Sequence, residues 1–217
     1  MKELTEIELN SVTDNPVLID ASTTLSGGNF HGQPLALPLD YASVAAAEVG
    51  NISDRRCYLL LEGKWGLPLL LMKNVGINSG FMIPQYTTAA LVSENKSLCF
   101  PSSADSIPTS LGQEDHVSMG SISGRKLHQV IENLEYILAI ELLTACQAIE
   151  FRRPLRSSHL LEVAHDFVRQ QVSFADEDRI FADDINQVAH LIKNFSFVGK
   201  VNSQGQSLNA GFDQFYQ

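Results

Sequence analysis

Charge is scarce in this sequence. Asp, Glu, Lys and Arg make up 18% of its 217 residues, against about 25% in an average globular chain. So little charge implies that much of the surface is covered, including between subunits. The charge that remains is acidic, with a net of −10 and a pI near 4.9. That argues against nucleic acid or an anionic membrane surface as partner, because phosphates are repelled. Long apolar runs are absent too, and none approaches the roughly 20 residues that span a bilayer. The opening Met1-Lys2-Glu3-Leu4-Thr5-Glu6-Ile7-Glu8-Leu9 alternates charge with apolar side chains and is no secretory signal. Cysteine is limited to Cys57, Cys99 and Cys146, odd in number and far apart in apolar contexts. They read as buried free thiols of a reducing compartment, not as a disulfide framework or zinc site. A soluble cytoplasmic protein is the expectation. Walker and Rossmann glycine patterns, CxxC, GxSxG and internal repeats are all missing, so nucleotide binding, zinc chemistry and serine hydrolysis have no support.

Apolar residues are plentiful at 44%, enough for a sizeable core. Their spacing is mostly three and four, the helical period. Leu35, Leu39, Ala42, Ala46, Val49, Ile52 and Leu60 predict a long helix over 33–61, with Pro34 in its first turn and Pro38 near its start or at a kink. A glycine-punctuated loop of about 20 residues follows, a length that is usually functional or interface-forming. Trp65, the only tryptophan, lies there and is expected to be a packing anchor. A helix is predicted from Phe81 to about Phe100, stopped by Pro101. The longest helical pattern runs over 119–151, marked by Leu127, Val130, Leu134, Ile137, Leu138, Leu142 and Ile149. At 1.5 Å per residue it spans about 45–50 Å, more than a small domain covers, so it should run through a bundle or across subunits. Two shorter helices are predicted over 157–172 and 177–195, with Asp176-Glu177-Asp178 loading acid into the first turn of the second. His159, His165 and His190 lie on them without the i, i+4 spacing of a helical metal site. The fold class is therefore all-α, a long-helix bundle. Residues 1–32 are expected to be irregular, 33–198 helical, and 199–217 a loose polar tail whose Phe212, Phe215 and Tyr216 are candidates to dock on a neighbour.

Two irregular stretches carry unusual side chains. Ser26-Gly27-Gly28-Asn29-Phe30-His31-Gly32 places an aromatic ring and an imidazole on a glycine-rich loop. Three glycines permit positive φ or close approach of the backbone to another group. Read locally this is a tight turn; the exposed Phe30 and His31 favour a bound molecule instead. Gln113-Glu114-Asp115-His116-Val117-Ser118-Met119-Gly120 packs three ionisable side chains just before the longest helix. Two readings stand there. The carboxylates cap the helix and complement its dipole, or the loop holds Glu114 out towards a ligand.

Taken together with Asn10-Ser11-Val12-Thr13-Asp14-Asn15-Pro16, Asn78-Ser79-Gly80-Phe81-Met82 and Asp105-Ser106-Ile107-Pro108-Thr109-Ser110, these stretches resemble the C-terminal part of the histidine ammonia-lyases. Those enzymes belong to the aromatic amino acid lyase family. The resemblance covers about residues 5–195, with five motifs in register. It implies long, near-parallel helices, a homotetramer with shared active sites, and conversion of L-histidine to urocanate and ammonia. It also implies an electrophilic methylidene-imidazolone (MIO) made from an internal Ala-Ser-Gly. That tripeptide occurs nowhere in these 217 residues, and family chains are more than twice as long. By the resemblance, Glu114 is the substrate-facing carboxylate and Phe30 the aromatic beside the prosthetic group. Asn29, His31, Gln113 and His116 are motif members with structural or supporting roles. Phenylalanine- and tyrosine-specific relatives tend to carry Asn-Gln-Asp where Gln113-Glu114-Asp115 stands, so Glu114 favours histidine. The expectation is a lyase fragment, inactive alone, whose partners are other copies and an N-terminal half. The alternative is a non-catalytic helical oligomerisation or regulatory module. The fumarase and argininosuccinate lyase group is disfavoured, because its Gly-Ser-Ser-x-Met-Pro-x-Lys-x-Asn loop has no counterpart here.

Overall fold

Two long helices set the scale of the protein. In a computed structural model, which describes residues 1–205, α2 spans Gln33–Leu61 and α4 spans Gly120–Glu150. The order is α1 (Lys2–Leu9), a two-stranded hairpin of β1 (Val17–Leu18) and β2 (Thr24–Leu25), α2, α3 (Met82–Leu98), α4, α5 (His159–Arg169), α6 (Phe181–Lys193) and α7 (Ser196–Gly205). The architecture is all-α, as the three- and four-residue spacing requires. Pro38 sits inside α2, in its second turn.

Contacts divide the chain into two units. The first comprises Met1–Glu48 and Glu94–Glu132. The second comprises Val49–Ser93 and the chain from Asn133 onward. Both long helices contribute to each, which is how a 31-residue helix is accommodated.

Small residues build the first unit's interior. Ala36, Ser43, Ala46, Ala47 and Ser123 are buried, and a Cβ on Gly120 would stand 3.6 Å from that of Ala36. Without side-chain bulk at these positions, α2 and the start of α4 approach closely. Larger side chains fill the second unit. Leu61, Leu71, Phe81, Ala139, Leu143, Cys146, Val168 and Val188 form one apolar cluster, and Phe81 meets Phe181 at 4.9 Å between ring centroids. Buried Gln147 crosses this cluster. Its amide nitrogen donates to the carbonyls of Leu71 (3.3 Å) and Ala175 (2.8 Å), and its oxygen accepts from Ala175 N at 3.2 Å.

Several expectations change. Residues 2–9 are helical, not irregular. Trp65 is 59% exposed, not a packing anchor. It sits at φ 53° between Gly63 and Gly66, themselves at positive φ, and this turn leaves its ring out of the core. Asp176, Glu177 and Asp178 precede α6, and Asp176 and Asp178 have their partners elsewhere. Asp176 faces Lys73 at 3.5 Å, and Asp178 accepts from the backbone N–H groups of Ser79 (2.7 Å) and Gly80 (2.8 Å). Asp183 and Asp184 occupy the first turn of α6 instead. The stretch from Gly199 starts as helix, since α7 continues to Gly205, which packs on Leu160. Phe212, Phe215 and Tyr216 lie outside the described residues.

The thiols are free: Cys57 and Cys146 are buried and Cys99 partly so. Burial pushes the Cys57 thiol up to about 12 and the Cys146 thiol up to about 11. His165 is buried, with Nε2 2.9 Å from Glu150 and Nδ1 3.2 Å from Asp166. Among the described residues no His, Cys, Asp and Glu side chains group as a metal site, and no helix is long and apolar enough to cross a membrane.

Candidate functional site

The Phe30 loop is anchored before it begins. Asp20 closes the β1–β2 turn by accepting the N–H groups of Ser22 and Thr23, each at 2.8 Å. Those bonds, led by the Ser22 N–H, hold its carboxyl below the usual range. Asn15 Oδ1 then accepts from Ser26 Oγ at 2.8 Å and Gly27 N at 3.3 Å, and Asn29 Nδ2 donates to Val12 O at 3.1 Å. Two of the sequence motifs are thereby tied together. Phe30 stays 45% exposed. With Asn29, His31, Gly32 and residues of α1 it lines a cavity of about 220 Å³.

The second loop, residues 101–119, is folded back on itself. Thr109 and Glu114 form an antiparallel bridge, with N···O distances of 3.0 and 3.3 Å. Between them Ser110–Gly112 make a single 3-10 turn in which all three residues have positive φ, and Leu111 is fully exposed. Val117 N donates to Ser106 Oγ at 2.9 Å. Because α4 begins at Gly120 and carries no acid in its first turn, the capping reading of Glu114 and Asp115 fails. Their backbone belongs to the preceding loop, and both side chains are exposed, as is Gln113.

The two loops meet at their histidines. His31 Nε2 lies 2.9 Å from the His116 carbonyl, while its Nδ1 accepts from Gln33 N at 3.2 Å. An N–H partner on one nitrogen and a carbonyl on the other fix the Nε2–H tautomer. The two imidazole rings stack at 5.0 Å and 16°. One residue further on, a Cβ on Gly32 would stand 2.7 Å from Ser118 Oγ. Gly32 is therefore required for close approach, not for positive φ. Gly27 and Gly28 show neither need.

Asp40, which no motif indicated, fastens the start of the second loop. It is 6% exposed on α2 and accepts from Ser103 N at 2.7 Å. Gln33 Nε2 donates to the carbonyl of the same Ser103 at 2.9 Å. Burial alone would raise the Asp40 carboxyl, but bonds from Ser103 and Ser123 and the charge of Lys126 hold it below the usual range. Lys126 also donates to Phe100 O and to Ser102 Oγ (3.2 Å). A signal existed in the sequence: an acidic residue on the apolar stretch of a helix needs a partner.

Fold and loops together define an all-α protein, with long helices carrying irregular segments that converge on paired histidines. The family model for aromatic amino acid lyases matches residues 1–170, and the chain belongs to that family. It is 53% identical over 188 residues to the histidine ammonia-lyase of Natranaerobius thermophilus, covering 85% of this chain and 37% of that one. Among solved structures, histidine ammonia-lyase from Trypanosoma cruzi superposes with a TM-score of 0.85 at 47% identity, covering 90% of this chain and 39% of the other. Tyrosine aminomutase from Streptomyces globisporus gives 0.88 at 34% identity, covering 93% and 39%. The chain thus spans well under half the length of the relatives it matches.

Proposed function

We propose that these residues form the C-terminal, substrate-recognising portion of a histidine ammonia-lyase, whose whole-protein reaction takes L-histidine to urocanate and ammonia. The observation that carries this reading is the junction of His31 on His116 and Gly32 on Ser118, which joins the Phe30 loop to the segment bearing Glu114. Glu114 is exposed and its backbone is bridged to Thr109, so its carboxylate is free of a capping role. A carboxylate there accepts a hydrogen bond from an imidazole N–H, a charge-assisted bond worth about 1.5–3 kcal/mol. Phe30, half exposed on the loop joined to that segment, offers a ring face. Asn29, His31 and His116 fix the two loops through their bonds, and Gln113 takes a supporting role beside Glu114.

The MIO group of the family supplies the electrophile that activates the amino group for loss. Its Ala-Ser-Gly precursor is absent from these residues, so the group does not form from them. The half-exposed Phe30, among glycines with open space around Gly27 and Gly28, suits a flat group delivered by another segment. These 217 residues alone should therefore produce no urocanate from L-histidine, read by its ultraviolet absorbance; urocanate formation would overturn this. Mixing with a separately produced N-terminal portion carrying Ala-Ser-Gly should restore turnover, and Glu114→Gln should lower kcat/KM for histidine in that mixture.

One observation favours a second reading, a non-catalytic assembly module. Leu37, Tyr41 and Val44 of α2 are exposed, and apolar patches of this kind mark interaction surfaces. Both readings place the chain in a cytoplasmic homo-oligomer, tetrameric as in the family. Light scattering should give a multiple of 23.9 kDa, and a monomer would count against both. Stable assembly with the N-terminal portion but no turnover favours the module.

A further inference from the structure

We infer that Asp40 is a positioning residue that sets where Glu114 stands. The inference rests on reading Glu114 as the substrate-facing carboxylate. Residues 101–119 are held from outside at two places. At the far end His31 and Gly32 hold His116 and Ser118. At the near end the buried Asp40 carboxylate accepts from the Ser103 N–H, Gln33 donates to the Ser103 carbonyl, and Lys126 donates to Ser102 Oγ. From there the path to Glu114 runs within the segment, through the bond of Ser106 to Val117 and the bridge of Thr109 to Glu114.

A carboxylate is suited to this work. Ser103 itself is buried, and a buried donor left without an acceptor carries its full desolvation cost. Asp40 meets that demand from the rigid frame of α2, and Lys126 on α4 opposes its charge. The loop start is therefore fixed to α2 by Asp40 and Gln33 and to α4 by Lys126, and Asp40 alone among them meets the Ser103 N–H. Beyond it the segment is closed on itself by the Ser106–Val117 bond and the Thr109–Glu114 bridge, and through these a displacement at Ser103 reaches Glu114.

The test uses the full chain, amide hydrogen exchange resolved by NMR, and imidazole as the probe ligand. In Asp40→Ala the amides of Ser103, Thr109 and Glu114 should exchange about tenfold faster or more, as expected for local opening after loss of a charge-assisted bond. Val130 and Ile137 in α4 should not change. Asp40→Asn keeps an acceptor of the same length and should restore slow exchange. Imidazole should shift the Glu114 resonances in the wild type and in Asp40→Asn, and not in Asp40→Ala. Asp40→Glu keeps the charge and advances the acceptor by one methylene, so it should fold and displace the Ser103 and Glu114 amide resonances. Unchanged Glu114 exchange in Asp40→Ala, acceleration shared by Val130 and Ile137, no rescue by Asp40→Asn, or an unmoved Glu114 resonance in Asp40→Glu would each overturn the inference. If the exchange pattern holds while imidazole leaves the wild type unshifted, Asp40 keeps its role and the substrate reading of Glu114 fails.

Discussion

Gly32→Ala tests how the two loops are joined. The added Cβ would stand 2.7 Å from Ser118 Oγ and 3.7 Å from Ser118 Cβ. The second distance is ordinary contact, so the whole conflict lies with one hydroxyl. Overpacking of this kind costs about 1–3 kcal/mol, towards the low end here because a serine hydroxyl can rotate to another staggered position. Gly32 is not at positive φ. Alanine therefore adds no backbone strain and gains roughly 0.4–1 kcal/mol by restricting the unfolded chain. The expected net is a loss of about 0.5 kcal/mol or less in denaturant unfolding followed by circular dichroism. Ser118→Ala removes the offending atom and leaves the Cβ at its permitted distance. Gly32→Ala in the Ser118→Ala background should then be neutral or slightly stabilising, giving a coupling energy of about 1 kcal/mol in the double-mutant cycle. Additive effects of the two substitutions would refute the close approach of Gly32 to Ser118.

Gly80→Ala should cost more, about 2–4 kcal/mol, because φ is +59° and the new Cβ would lie 2.5 Å from the Leu70 carbonyl, which is backbone and cannot rotate away; thermal unfolding at wild-type temperature would contradict this. Glu162 is held down to about 2, first by Arg153 and then by the Ser157 N–H, from an ordinary 4.5. Its stabilisation is present above the ordinary value and is lost as pH falls towards about 2. Glu162→Gln should flatten the pH dependence of stability across that window, and an unchanged slope would be the contrary result. Native protein should react with a thiol reagent fastest at Cys99, which is only partly buried, while Cys57 and Cys146 wait for unfolding; peptide mapping after brief alkylation reads the order.

Helix content and the order of the helices could be read from the chain because apolar spacing reports directly on which side of a helix is covered. That is why 33–61 was legible to the residue, and 119–151 nearly so against the observed Gly120–Glu150. The ends of short helices were less legible. Asp176-Glu177-Asp178 has the composition of a first turn, yet Asp178 is engaged by Ser79 and Gly80, about 100 residues away in sequence. Local propensity contains no term for such a partner. Trp65 shows the same limit, since a large apolar side chain predicts burial and a turn of positive φ left it exposed.

The motif residues were legible as types; their roles were not. The sequence by itself determined the all-α class, the family resemblance, the lack of an Ala-Ser-Gly precursor, and the loops that carry Phe30 and Glu114. Tertiary structure removed the capping reading of Gln113–Gly120. The carboxylates lie outside α4, in a loop bridged at Thr109 and Glu114 and pinned by His31 and Asp40. The physical reason is range. A cap is a contact within one turn and can be proposed from neighbours in sequence, whereas the bonds from His31 to His116 and from Asp40 to Ser103 join residues far apart along the chain and exist only once α2 and α4 have packed through their small residues.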